Sequence, residues 1–150
     1  MTQTTKRNRK QAGQAGVTLI EMLVVVTIIG LFVALVGPML FKKADEAKVT
    51  TTRAQIDNFM TALGMYKLDT GMFPTTEQGL QALRVKPADV TIWNGPYMPK
   101  GIPKDAWGHD FIYRYPGEHQ ADEPEIVSLG GDGQPGGDGT SADIVSWKNK

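Results

Sequence analysis

The sequence predicts an α+β protein in which one long N-terminal helix packs on a small antiparallel sheet. The helix is apolar in its first half and amphipathic in its second. Three observations carry this. Residues 16–41, GVTLIEMLVVVTIIGLFVALVGPMLF, hold one acid, Glu21, and no charge from Met22 to Phe41. Beyond them Ile56, Phe59, Met60, Leu63 and Lys67 fall at helical spacing, with Tyr66 and Leu68 beside them. Three short runs of strand formers follow between residues 111 and 147, separated by turn-forming connections. A helix followed by such strands is the order of an α+β layer.

The chain opens with Lys6, Arg7, Arg9 and Lys10, without an acid among them, and then the small polar stretch Gln11–Gly16. A basic segment ahead of an apolar run is the order of a targeting signal, and it predicts a cytoplasmic N-terminus. The cut site differs from that of an ordinary signal peptide, which is cleaved after its apolar region at a small-x-small site. Here the run ends in Phe41-Lys42-Lys43, and Ala44-Asp45-Glu46-Ala47 is a poor match. The twenty uncharged residues from Met22 to Phe41 cover about 30 Å as a helix, the thickness of a bilayer's hydrocarbon core. Such a run can span a membrane once or stack into the core of a helical filament. Glu21 either sits in the headgroup zone or has a functional partner, because an acid inside lipid is costly.

Gly37-Pro38 is expected to kink or locally unwind the helix, since proline removes a donor and clashes with the preceding turn. A simple helix end at Gly37 is the alternative. Helical character resumes at once, however: residues 42–69 contain no proline and only Gly64. One helix is therefore predicted over 17–69, with Gly71 as its stop. Asp45, Lys48, Thr52, Arg53 and Gln55 lie mostly away from the apolar stripe. The stripe reads as core and as the seat for the remaining domain.

Thr75 and Gln78 fit a capping box and predict a short helix over Thr76–Arg84, pinned by Leu80 and Leu83 and ended by Pro87. The stretch from Pro87 to Gly108 holds four prolines and reads as a wandering loop. Trp93, Tyr97 and Trp107 are its expected packing anchors, since no polar constellation beside them suggests a sugar site. Strands are predicted over 111–115, 125–129 and 143–147, with Pro116-Gly117 as a turn and an exposed polar 116–124 connection.

Composition excludes several function classes. Sixteen basic and sixteen acidic residues balance, so nothing points to nucleic acid. The absence of cysteine rules out disulfide stapling and a lipoprotein-type anchor, so a small exported domain needs another fastening, such as a metal. His109 and His119 stand ten apart in loops without a third nitrogen or sulfur ligand, and read as structural or solvated. Ser128 and Ser146 lie in no nucleophile elbow. No phosphate-cradling glycine motif precedes a helix. No enzymatic activity is expected.

The stretch that carries chemistry is residues 130–143, GGDGQPGGDGTSAD, with six glycines and three aspartates in fourteen residues. Calcium takes six to eight oxygens, which carboxylates and inward-turned carbonyls supply. A plain flexible turn has the same composition, because Asp-Gly is also a turn signal. The spacing matches an EF-hand only in part: Asp132, Gly137, Asp138 and Asp143 fall at its first, sixth, seventh and twelfth positions, but its third and fifth lack acids.

Gly16-Val17-Thr18-Leu19-Ile20-Glu21 resembles the prepilin cleavage motif of type IV pilins and type II secretion pseudopilins. The resemblance implies cleavage between Gly16 and Val17 by a prepilin peptidase that also methylates Val17. It also implies that Glu21 becomes the fifth residue of the product and pairs with the terminal amine of Val17 on a neighbouring subunit. Valine stands where the family usually has phenylalanine. Removing residues 1–16 leaves twelve basic against sixteen acidic groups. Tyr66-Lys67-Leu68-Asp69, Phe73-Pro74-Thr75-Thr76, Gln78-Gly79-Leu80, Asp105-Ala106-Trp107-Gly108, Pro116-Gly117-Glu118-His119 and Ser128–Gly133 look like the major pseudopilin family of type II secretion. Ala106 stands where that family commonly has proline, and Ala142-Asp143 where many members have paired aspartates.

This resemblance implies a type IV pilin-like fold and a calcium ion in the loop over 128–143. Its implied ligands are Asp132 and Asp143, then Asp138 in place of the missing acid, with carbonyls of Ser128 or Leu129. The implied organisation is a cleaved leader over 1–16, a transmembrane or assembly helix over 17–41 and a periplasmic domain over 42–150. Pro38 and the small residues Gly30, Ala34 and Gly37 belong to the assembly helix. The implied function is the major subunit of a periplasmic fibre that drives proteins through the outer membrane. Its partners would be further copies of itself, minor pseudopilins, the peptidase, an inner-membrane assembly platform and, before assembly, lipid. An adhesive or competence type IV pilin and a membrane-anchored calcium-dependent binding domain are the alternatives. The former often carries a disulfide, and the latter needs neither leader nor Glu21.

Overall fold

The computed structural model describes residues 16–149, and the expected leader over 1–15 lies outside them. Helix α1 runs Leu19–Thr70, 52 residues, close to the predicted 17–69. It starts on Thr18, whose Oγ1 accepts the Glu21 N–H at 3.3 Å, the geometry of an N-cap. It ends where Gly71 adopts φ +88°, with the Gly71 N–H on the Lys67 carbonyl at 2.8 Å. The helix is unbroken across Gly37-Pro38, so the local unwinding allowed by the sequence does not occur. One missing donor is tolerated when the flanking turns stay helical.

The chain forms two compact units that divide between Leu40 and Phe41. In the first, the apolar side chains from Leu19 to Leu40 are exposed, Leu19 at 84% and Leu35 at 77%. The one hydroxyl deep in this run, Thr27 Oγ1, donates back to the Leu23 carbonyl at 2.7 Å, which satisfies it without water. The helix is long and apolar enough to cross a membrane.

In the second unit the core-facing line of α1 is Thr52, Ile56, Phe59, Ala62, Leu63 and Tyr66. Thr52, expected away from the stripe, is 0% exposed, whereas Leu68 is 86% exposed. Thr52 belongs inside because its Oγ1 accepts the Ala106 N–H at 3.2 Å. Against this line stands a sheet of β1 (Ile112–Arg114), β2 (Glu125–Ser128) and β3 (Ile144–Val145), ordered β1-β2-β3 and antiparallel throughout. Tyr113 pairs with Ile126 and Ser128 with Ile144. Tyr113, Ile126 and Ile144 join the α1 side chains in one core.

The capping box forms as predicted: Gln78 N–H donates to Thr75 Oγ1 at 3.3 Å, and Thr75 N–H to Gln78 Oε1 at 3.0 Å. The box leads into a turn and a short 3-10 helix, Leu80–Leu83, instead of an α-helix over 76–84. Gly79 at φ +58° interrupts the α-helical path. Leu80 and Leu83 are buried as expected. Trp93 donates Nε1–H to the Ala82 carbonyl at 3.1 Å, and the Tyr97 hydroxyl donates to Asp69 Oδ2 at 2.7 Å. Tyr97 also meets Tyr66 and Trp93 edge-on, each at 5.6 Å between centroids. The aromatic residues of this loop are packing anchors.

Candidate functional site

Two stretches carry the sequence-predicted site residues. At the N-terminus, Gly16 and Val17 precede α1, and Glu21 lies in its first turn. An acid there is favoured by the helix dipole. Among the described residues no cation pairs with the Glu21 carboxylate. Val17 is 58% exposed, and Gly30 and Gly37 have open space around them.

The second stretch is the 128–143 loop, which contains two 3-10 turns, Gly130–Asp132 and Gly139–Ser141. Its glycines are structural necessities at two places. Gly130 has φ +64°, and a Cβ there would lie 2.7 Å from the Ala142 carbonyl oxygen. Gly137 has φ +80°, and a Cβ would lie 2.5 Å from the Ser141 carbonyl oxygen. Gly130 brings the two ends of the loop together, and Gly137 folds its trailing half onto Ser141, each closer than a side chain permits.

The three aspartates fare differently. Asp132 Oδ1 accepts the Gln134 N–H at 3.0 Å, and Asp143 Oδ2 accepts the Gly136 N–H at 3.0 Å. Asp143 Oδ1 is buried without a partner. Asp138 is exposed and makes no side-chain cap bond at the turn beginning with Gly139. Among the described residues no three acidic or histidine side chains converge to hold a metal, so the structure does not bring these carboxylates together. The donor chemistry nevertheless fits a hard cation at one point: a buried carboxylate oxygen with no donor needs compensating positive charge. Ser128 offers no hydroxyl, because its Oγ donates to Asp105 Oδ2 at 2.6 Å, which leaves only its carbonyl.

Sequence reasoning missed two buried carboxylates. Asp105 is 5% exposed. Its Oδ1 accepts the Trp107 and His109 N–H groups at 3.0 and 2.8 Å. Burial pushes its pKa up, but the bonds from Ser128, His109 and Trp107 and the nearby His109 ring outweigh that and hold it below the usual carboxylate range. The Asp-x-Trp-Gly pattern signals such an Asx turn. Glu125 is 4% exposed. Its Oε1 accepts the His119 N–H at 2.6 Å and lies 2.9 Å from His119 Nδ1. Both histidines therefore serve structure, as expected.

A model of the prokaryotic N-terminal methylation motif matches residues 11–37, so the chain falls in the class of proteins that carry this motif at the start of an apolar helix. A model of type II secretion system protein G matches residues 39–147. The chain belongs to the type II secretion system protein G family. It is 43% identical over 145 residues to the type II secretion system core protein G of Vibrio cholerae serotype O1, covering 93% of this chain and 95% of that one. Against the core protein G of Pseudomonas aeruginosa the identity is 42% over 139 residues, with 91% and 96% covered. Among solved structures it resembles the major pseudopilin from the type 2 secretion system of enterohaemorrhagic Escherichia coli. That match has a TM-score of 0.60 at 33% identity, covering 73% of this chain and 94% of that one. The expected fold, a long helix with a small antiparallel sheet, is the one observed.

Proposed function

We infer that this chain is the major structural subunit of a type II secretion pseudopilus. The observation that carries the reading is the near full-length similarity to core protein G chains, joined to an apolar helical run that buries none of its own length. The subunit is cut between Gly16 and Val17 by the prepilin peptidase and methylated on Val17. It waits in the inner membrane with its N-terminus cytoplasmic and its globular unit periplasmic. The assembly platform then stacks it, with minor pseudopilins, into a fibre that moves folded proteins across the outer membrane. The chain performs no catalysis in this role. Glu21 pairs with the Val17 amine of a neighbouring copy, since a charge in an apolar core needs a partner.

Calcium is the ion proposed for the C-terminal loop. Asp143 and Asp132, with Asp138 and carbonyls of Ser128 or Leu129, would hold it. The bound ion supplies positive charge for the partnerless Asp143 oxygen and orders the loop where no disulfide is available.

The test is mass spectrometry of the N-terminus of the protein taken from its own membrane. An N-methylated Val17 is the expected result. An intact Met1, or a cut beyond Phe41, overturns the processing and with it the assembly reading.

A further inference from the structure

The two halves of the 128–143 loop are held by different means. The leading half rests on the turn 105–109. The Ser128 hydroxyl donates to Asp105 Oδ2 at 2.6 Å and accepts the Gly130 N–H at 3.3 Å. His109 Nδ1 lies 3.1 Å from the Gly130 carbonyl oxygen, and a carbonyl only accepts, so this nitrogen carries the proton. Asp105 Oδ1 fixes that histidine from behind through the His109 N–H at 2.8 Å. The backbone passes so close that a Cβ on Gly131 would lie 3.1 Å from Trp107 Nε1, and one on Gly133 3.1 Å from His109 Nε2. The turn itself is tied to α1 by the Ala106 N–H on Thr52 Oγ1 at 3.2 Å. That bond exists because Ala106 has a backbone donor, which a proline lacks.

Among the described residues the trailing half makes no hydrogen bond to the turn 105–109. Gly136 and Asp143 bond each other, N–H to Oδ2 at 3.0 Å and N–H to carbonyl at 3.2 Å. The Ser141 N–H reaches the Asp138 carbonyl at 3.1 Å. These bonds are internal to the loop, and the buried Asp143 Oδ1 stays partnerless.

We propose that Asp105 is a positioning residue that sets residues 128–133 from the core side, through Ser128 and His109, without any metal. A cation that joins Asp143 to the already positioned Asp132 side of the loop would then order the trailing half, 134–143. That second clause rests on the calcium reading; the Asp105 assignment does not. The side chain of Asp105 is 0% exposed, and three donors fill its two oxygens. It is therefore a junction and not a ligand. Its effect on the loop passes along one chain of bonds from Thr52 through Ala106, Asp105 and Ser128 to Gly130.

The experiment is segment-resolved amide hydrogen exchange on the processed full chain in detergent micelles, with calcium and with EDTA. In Asp105→Asn, amides of residues 129–133 should exchange about tenfold faster, the loss of one charge-assisted hydrogen bond. Amides of α1 over 52–66 should keep their rates. Ser128→Ala should give the same local pattern, and the double variant should add little to either single change, since both cut one chain of bonds. Wild-type rates over 129–133 in Asp105→Asn overturn the proposal. So does an equal acceleration of loop and α1, which would mean only a global loss of stability. If Asp105→Asn does not fold, Ser128→Ala decides by the same two criteria. EDTA should speed residues 134–143 much more than 129–133, which keep their bonds to the turn 105–109. Equal acceleration of both halves sinks the division of the loop. No response in either half sinks the calcium reading and supports a leading half set by protein alone.

Discussion

Glu125→Gln is the sharpest test of how the sheet's outer face is held. Glu125 opens β2, where neighbouring side chains point to opposite faces. Ile126 takes the helix side and is 0% exposed, yet Glu125, on the other side, is only 4% exposed. The 116–120 turn closes over it, since a Cβ on Gly117 would lie 3.0 Å from Glu125 Oε1. The same oxygen accepts the His119 N–H at 2.6 Å, and the His119 ring stacks on Trp147 at 4.2 Å. Arg114, the register partner of Glu125, is paired with Glu118, and Asp143 lines the same cleft. Burial pushes the Glu125 pKa up, but the His119 bonds, the Glu118 backbone and the His119 ring hold it below its ordinary value. A carboxyl depressed in the folded state stabilises above its unfolded pKa of about 4.3, and that contribution is lost as pH falls through the folded value. Glutamine keeps the size and one acceptor but removes the charge. The expected cost is about 1.5–3 kcal/mol at pH 7, the worth of a hydrogen bond to a charged group. As the pH falls through the folded value the gap should narrow, because both chains then become neutral at this position. Urea midpoints from pH 7 down to pH 3 measure it. A gap of equal size at both ends, or none at pH 7, refutes the reasoning.

Thr52→Val should cost about 1–3 kcal/mol in urea unfolding, because the Ala106 N–H is left without an acceptor. Thr52→Ser should recover most of that loss. Gly137→Ala should destabilise the loop by more than about 1 kcal/mol, since the position combines φ +80° with a Cβ 2.5 Å from a carbonyl oxygen; limited proteolysis within 134–143 reads it. Glu21→Ala should leave membrane fractionation unchanged and abolish sedimentable fibres, and wild-type fibre yield in that variant would remove the pairing role of Glu21.

The large elements were legible because each rests on a periodic signal. The uncharged run, the helical stripe and the strand cores at 112–114, 125–128 and 144–145 all appear where apolar spacing put them. Two of the errors are polar groups whose burial depends on partners outside their own element. Thr52 reads as surface until Ala106, 54 residues away, donates to it. Glu125 reads as solvent-facing on strand alternation alone, because nothing in its neighbourhood announces that the 116–120 turn will cover it. The capping box at Thr75 and Gln78 was correct in chemistry and wrong in consequence, because Gly79 diverts the chain after one turn. In the loop, the glycines are explained by close backbone approach, whereas the aspartates are not gathered by the fold itself.

The exposed helix and Glu21 belong to one argument. Residues such as Leu19, Leu31 and Leu35 are 72–84% exposed, and each costs about 1.5–3 kcal/mol when left in water. Lipid tails and the apolar helices of other copies relieve that cost equally well, so apolar burial alone gives no preference between membrane and fibre. A preference has to come from something that differs between the two environments. Small residues are one such difference, since Gly30 and Gly37 leave open surface where another helix can approach. Glu21 is the other. In lipid its charge is a penalty met only at the headgroup boundary, whereas beside a neighbour's amine, as proposed above, it would be a paired charge with a single satisfactory register. On the proposed assembly reading, Glu21 is therefore the residue that would favour the fibre over the membrane and fix the register of neighbouring helices.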